Sequence, residues 1–267
     1  MRGHLAPSRL RATISAGLIR STTPTIFRTA TIATHRPSTK TTINPYVTFT
    51  SNIHTTTSKM SSTQISANAV LDLIKNRRTY YPLSKDLGSL TVERINEIVK
   101  EALQHVPSSF NSQSNRVVVL FGAEHDKLWD ITSATLKAIV PEDAWASTEG
   151  RMAMFKGAAG TILFFEDETV VKGMQEKFAL YADRFPGWAT QSDAMLQHTL
   201  WVALEAEGLG ANLQHYSPLI DAKVAETWSV PESWKLNAQL VFGGKTGDAG
   251  EKAFGAVEEK FKTFGSA

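Results

Sequence analysis

Apolar positions recur at helical spacing soon after residue 65. Val70, Leu73 and Ile74 take i, i+3 and i+4 within 66–76, and Ser66 offers a hydroxyl to cap the first turn. Pro82 disfavours helix in the residue before it. A second helix is predicted over 91–106, with Ile95, Ile98, Val99 and Leu103 on one face. Residues 107–113 are a polar loop. Arg116 to Phe121 is a short, almost continuous apolar run, the pattern of a buried strand. A helix is predicted at 124–139. A second buried strand spans Thr161 to Phe165 and closes on Glu166, Asp167 and Glu168. Helices follow at 169–181 and 190–207. Gly208-Leu209-Gly210 interrupts the last of these, and a short segment, 211–216, emerges from it. Residues 236–242 alternate as a strand does and end on Gly243-Gly244. The charged tail, 251–264, is weakly helical in pattern. Strands interspersed with helices, and no internal repeat, place the domain in the α/β or α+β class, with one sheet covered by helices.

Charge divides the chain in two. Residues 1–60 hold eight basic residues and no acid, and the first acidic residue is Asp72. The whole chain has 28 Lys+Arg and 26 Asp+Glu, so 61–267 carries 20 basic and 26 acidic residues, a net of −6 against +8 for the leader. The overall +2 describes neither part, and a nucleic-acid partner is not expected for the folded part. The leader also holds 21 Ser and Thr residues. A basic, hydroxyl-rich, acid-free segment reads as a mitochondrial transit segment, expected to be disordered. Met60 sits where the composition changes, so a start there would give an untargeted cytoplasmic or nuclear form. No apolar run approaches the roughly 18–20 residues of a membrane span. With no cysteine, the chain has no disulfide, no thiolate metal site and no thiol nucleophile.

Candidate chemistry lies in four polar clusters. Arg77-Arg78-Thr79, just past a helix, can hold a phosphate dianion bidentately or simply complement a helix C-terminus. Pro107-Ser108-Ser109-Phe110-Asn111-Ser112-Gln113 gathers hydroxyls and amides that suit a heterocycle edge, or forms an ordinary turn. Gly208-Leu209-Gly210, leading to Asn212-Leu213-Gln214-His215-Tyr216, lacks the third glycine and the preceding strand of a dinucleotide fingerprint; a helix-capping glycine before a strand is the plain alternative. Lys245 and Lys252 follow the last strand. The seven histidines show no metal-ligand spacing, and no metal is expected.

In this order, Arg-Arg-Thr, Pro-Ser-Ser-x-Asn-Ser-Gln and Gly-Leu-Gly resemble the FMN-dependent nitroreductase family. The wording around Phe164-Phe165-Glu166-Asp167, Gly208–Tyr216 and Gln239–Gly243 is similar to its fungal branch, related to fatty-acid-repression proteins. The resemblance covers about 64–264. It implies an α+β fold, with a mixed, largely antiparallel sheet flanked by helices, over a domain at 61–267. It also implies a homodimer with FMN at the interface. Arg77, Arg78, Thr79 and Lys252 would hold the FMN phosphate. Ser109, Asn111 and Gln113 would reach the flavin from the partner subunit. Leu213, Gln214 and His215 would lie along the ring near N5, and Lys156 near its pyrimidine edge. No side chain is expected to be catalytic in itself, since the flavin carries the redox chemistry. The implied activity is NAD(P)H oxidation with ping-pong reduction of a small nitroaromatic or quinone acceptor. The alternative is a regulatory flavoprotein in lipid or oxidative-stress signalling with little turnover.

Overall fold

The computed structural model describes residues 65–265. The leader over 1–60, its expected disorder and the alternative start at Met60 lie outside the described residues. Helix α1 (Ala67–Asn76) is capped by Ser66, whose Oγ accepts from the Ala69 amide at 3.2 Å. Its apolar residues Val70, Leu71, Leu73 and Ile74 all remain exposed. A two-residue strand β1 (Leu83–Ser84) follows. Helix α2 (Val92–His105) starts at Thr91, whose hydroxyl accepts from the Arg94 amide, and buries Ile95, Ile98, Val99 and Ala102.

Strand β2 (Asn115–Phe121) leads through α3 (Gly122–Lys137) and α4 (Glu142–Lys156) to β3 (Gly160–Asp167). Then come α5 (Glu168–Lys177), a 3₁₀ segment (Ala179–Arg184) and the 22-residue helix α6 (Phe185–Ala206). Strand β4 (Gly210–Gln214), helix α7 (Asp221–Trp228) and strand β5 (Trp234–Lys245) complete the domain.

All the ladders are antiparallel: β2 with β3, β3 with β5, β4 with β5, and β1 with β5. One parallel bridge joins Thr79 to Ala211. The α+β architecture expected from the sequence is therefore present. Strand β3 is central, and all eight of its residues are buried. Side chains alternate across a sheet, so Ile162 and Phe164 enter one layer, with Ile95 and Ile98 of α2 and Leu196, Leu200 and Leu204 of α6. Leu163 and Phe165 enter the other, with Leu128 and Trp129 of α3, Met152 and Phe155 of α4 and Val224 of α7. The register places Phe164 opposite Ala238 and Phe165 opposite Leu236, so Asn237 is the extra residue of a β-bulge.

Several elements differ from the sequence expectation. Helices α4 and α7 show no clear apolar stripe; α4 buries only Met152 and Phe155. Helix α6 starts at Phe185 rather than at 190, because Pro186 sits in its first turn, where a missing amide hydrogen costs nothing. The helix expected at 169–181 ends at Lys177 and continues as 3₁₀ turns. The tail expected to be weakly helical holds only one 3₁₀ turn, Glu258–Lys260. Its Phe254, Val257, Phe261 and Phe264 are exposed. A short helix with no surface to pack on gains too little to offset its nucleation.

Candidate functional site

The Arg77-Arg78-Thr79 segment is fixed from two directions. Arg77 is the C-cap of α1. The Arg78 amide donates to both carboxylate oxygens of Glu205, at 3.2 and 3.0 Å, in the last turn of α6. Trp201 Nε1 donates to Glu205 Oε1 at 2.9 Å, and the Arg77 guanidinium lies over the Trp201 ring, 4.4 Å from its centroid. Burial pushes the Glu205 carboxyl above its ordinary value, and its bond from the Arg78 amide opposes the shift, joined by the Lys245 charge and the Trp201 N–H. On the other side, the Tyr80 amide donates to the Ala211 carbonyl at 3.0 Å, and Asn212 Nδ2 donates to the Tyr80 carbonyl at 2.8 Å. The segment is thus stitched to both α6 and β4.

The Gly-Leu-Gly turn makes that stitching possible. Gly208 has φ +98°, its amide donates to Glu205 O, and the Leu209 amide donates to Leu204 O. This pairing is a Schellman cap, which needs a residue tolerant of left-handed backbone. A Cβ on Gly210 would lie 2.8 Å from Leu83 Cδ2 and 3.0 Å from Tyr80 Cβ. The second glycine therefore lets the 77–83 segment lie against β4. The motif is a helix cap and a close-approach point, as the plain reading held.

Arg77, Arg78, Thr79, Tyr81, Gly250, Glu251 and Lys252 line one cavity of about 360 Å³. Four of the sequence-predicted residues, Arg77, Arg78, Thr79 and Lys252, therefore converge, although Lys252 is far from the others in sequence. The C-terminal segment is held there in part by Arg78 Nη2, which donates to the Gly250 carbonyl. Three cations face one carboxylate, Glu251, so the cavity favours an anion. Leu213 and Gln214 continue along β4 from the Thr79–Ala211 bridge, half-buried, and His215 follows, exposed. Gln214 Nε2 donates to Asn212 Oδ1 at 2.9 Å.

Ser109, Asn111 and Gln113 stand elsewhere. Their loop is tied by the Gln113 amide to Ser108 Oγ at 2.9 Å and by the Asn111 amide to Ser108 O at 2.9 Å. Phe110 of this loop packs near Trp188, at the N-terminal end of α6, whereas Arg77 packs on Trp201 near its C-terminal end. At 1.5 Å per residue, Trp188 and Trp201 lie about 20 Å apart along the helix. One chain does not unite the two clusters. Among the described residues, no hydrogen bond engages the side-chain amides of Asn111 or Gln113.

Lys156 is not brought to either cluster. Its Nζ pairs with Asp130 of α3 at 2.6 Å, and it lines a separate small cavity with Trp129, Asp130 and Glu149. Within one chain, Lys156 stands apart from the residues grouped with it in the sequence reading. Arg151, five residues earlier and so about 140° around α4, is a cation the sequence reading missed. Burial raises the Tyr216 phenol, the Arg151 charge opposes that rise, and Tyr81 adds to it. The Arg151 charge and the Tyr81 ring each act on Tyr216, which follows β4. With α4 unrecognised in the sequence, no signal pointed to this residue.

An antiparallel sheet between two helical layers, with an anion-seeking cavity where its longest helix ends, defines an α+β protein built to hold a charged ligand. The family model described as "Nitroreductase family" matches residues 74–244. The chain belongs to this family and is an oxidoreductase. It is 37% identical over 185 residues to the Saccharomyces cerevisiae protein HBN1, which covers 69% of this chain and 92% of HBN1. It is 46% identical to nitroreductase CinD from Lactococcus lactis, solved with chloramphenicol and with 4-nitrophenol, covering 73% of this chain and 99% of CinD with a TM-score of 0.67. The fold alone is shared with the FMN-dependent nitroreductase NfnB from Mycobacterium smegmatis, solved in complex with NADPH: 18% identity, TM-score 0.57, 74% of this chain and 99% of that one.

Proposed function

We propose that this chain is an FMN-dependent NAD(P)H oxidoreductase that works as a homodimer. The observation that carries this reading is the convergence of Arg77, Arg78, Thr79 and Lys252 on one cavity of about 360 Å³. Guanidinium, ammonium and hydroxyl donors in one cradle fit a phosphate dianion. The unengaged amides of Asn111 and Gln113, with the Ser109 hydroxyl, fit the donor and acceptor edge of a heterocycle. Leu213 and Gln214 lie on β4 and His215 just past it, and Arg151, whose charge acts on Tyr216, is a further cation on that side of the domain.

The dimer is supported by what one chain leaves uncovered. Both the apolar face of α1 and the phenylalanines of the C-terminal tail are exposed. Surfaces of that kind are rarely left to water unless a partner covers them. A second copy would bring its Ser109–Gln113 loop to the cationic cavity of the first.

Bound FMN would supply hydride chemistry at N5, taking hydride from NAD(P)H and passing it to an acceptor in ping-pong order. The chain's own part is to hold the phosphate, orient the ring and place positive charge near its edge. Nitroaromatic acceptors are supported by the chloramphenicol and 4-nitrophenol complexes of CinD; quinones share the same electron-poor planar chemistry. The leader, with eight basic residues and no acid across 1–60, supports mitochondrial import, and fractionation with N-terminal sequencing tests it.

The decisive experiment is an FMN titration followed by stopped-flow mixing with NADH and NADPH, then with a nitroaromatic and a quinone. Bleaching of the flavin and its recovery on adding acceptor are expected. A protein that binds no FMN would refute the reading. Bound flavin that neither nicotinamide bleaches would point to the regulatory alternative.

A further inference from the structure

The Ser109–Gln113 loop carries three non-glycine residues in left-handed backbone: Phe110 at φ 57°, Asn111 at 51° and Gln113 at 52°. Asparagine tolerates that region; phenylalanine does so rarely, because its Cβ crowds the following carbonyl. The hydrogen bonds from Asn111 N to Ser108 O, Ser112 N to Ser109 O and Gln113 N to Ser108 Oγ close a primed-type turn within the loop, and from β2 Arg116 Nη1 donates to the Gln113 carbonyl. The feature that sets this loop apart is the Phe110 ring. It meets Phe178 at 4.8 Å, Phe185 at 5.5 Å and Trp188 at 5.8 Å between centroids, and Trp188 at an interplanar angle of only 29°. Tyr181 stands at 6.1 Å. These four rings come from the α5–α6 region, and Phe185 is buried against Val171 and Ala189 in a small core of its own. Phe110 keeps 52% of its surface exposed even so. Its ring grips the cluster from outside rather than filling the core.

We propose that Phe110 is a positioning residue. Its ring, seated on Phe178, Phe185 and Trp188, holds the loop in the left-handed conformation that leaves the Asn111 and Gln113 amides free for a ligand. Through this contact the 178–188 segment sets the geometry of the loop without touching the ligand itself. The link to flavin rests on the function proposed above; the link to loop conformation does not.

The test separates the two. In flavin-free protein, Phe110→Ala should speed hydrogen exchange at the amides of 111–113 about tenfold, the factor expected when a local opening loses one or two aromatic pairs. FMN affinity should fall by a similar factor of about ten. Phe110→Tyr, which keeps the ring, should restore both. Trp188→Phe, which keeps a ring but shortens the stack, should give a smaller change in the same direction. Unchanged exchange and affinity in Phe110→Ala would overturn the proposal while leaving the flavin reading intact. Failure of Phe110→Tyr to restore exchange would also overturn it. If wild-type protein binds no FMN, the proposed function falls, and the exchange measurement alone decides whether Phe110 holds the loop.

Discussion

The two ends of α6 serve different chemistry and are held by different forces. At the C-terminal end, Glu205 accepts from the Arg78 amide and from Trp201, and Arg77 stacks on that same tryptophan. Directional hydrogen bonds and charge fix an anion cradle there. At the N-terminal end, Phe185 and Trp188 receive Phe110 through ring contacts alone. The first end orders charged groups by pairing each with a partner; the second orders a polar loop by gripping one apolar residue within it. Trp188 and Trp201, on which the two clusters pack, lie about 20 Å apart along the 22-residue helix α6. On the dimer proposed above, a second copy would bring the two halves together.

That comparison breaks most visibly in hybrid dimers. Arg77→Ala should weaken FMN binding about 10- to 100-fold, by removing charge-assisted bonds worth about 1.5–3 kcal/mol. Asn111→Ala should weaken it less, because its amide bond is neutral at one end. Co-expressed with distinct tags, one Arg77→Ala copy and one Asn111→Ala copy form a dimer in which one site takes both substitutions and the other takes none. About half the wild-type FMN stoichiometry, at wild-type affinity, is expected in the purified hybrid. Two weakened sites, one with the affinity of each single variant and none at the wild-type value, would show that each chain builds its own site, and the argument from the ends of α6 would fail.

A second difference between regions concerns pH. Asp193, in α6, is fully buried; Gln197 Nε2 and Asn237 Nδ2 donate to its Oδ2 at 2.6 and 3.1 Å. Burial pushes its carboxyl from 3.8 up to about 6. Its contribution to stability is thus present below the unfolded value and lost as pH rises through about 6, a loss of roughly 2–3 kcal/mol. His125, in the opposite layer, sits between Thr161 Oγ1 and the Phe155 carbonyl, and burial holds its ring below the usual value. An unfolded chain takes up that proton from about pH 6.5 downward and the folded chain does not, so stability falls as pH drops through that window. The two slopes oppose each other. Asp193→Asn keeps an oxygen for both donors and removes one slope. Its chemical-denaturation midpoint should rise above wild type at pH 7.5, and should then climb steadily from pH 5 to 6.5. A wild-type pH profile in the variant would mean Asp193 does not titrate in this range.

The parts legible in the sequence were those whose physics is local. Strand β3 is buried on both faces, so it reads as an unbroken apolar run; α2 buries one stripe, so it reads as a period of 3.6. Helix α4 lies with most of its surface exposed and buries Met152 and Phe155 alone, which leaves no stripe to detect. The two residues of β1 carry no period at all. The same division holds in the site. Arg77, Arg78 and Thr79 form one motif, and their shared cavity follows from adjacency. That Lys252 joins them depends on the return of the C-terminal segment, and that the Arg151 charge acts on Tyr216 depends on a helix with no sequence signature. Phe110 looks like one apolar letter in a polar loop. Only the backbone shows it in a left-handed conformation.

The smallest predicted effect is also the sharpest check on where the positive charge belongs. Lys156 pairs with Asp130 at 2.6 Å, but both side chains are more than a third exposed. Exposed ion pairs contribute about 0.2–1 kcal/mol, because water screens the attraction and two flexible chains must be ordered. Lys156→Ala should therefore lower the denaturation midpoint only slightly and leave FMN affinity at the wild-type value. Arg151→Ala, on the other side of the same helix, should leave stability unchanged and slow flavin bleaching by NAD(P)H severalfold, since it removes positive charge where negative charge develops on the ligand. A Lys156 variant that loses flavin while the Arg151 variant keeps full activity would reverse the assignment. The cation near the ring edge would then be the one the sequence named, and α4 would have to turn its other face to the site.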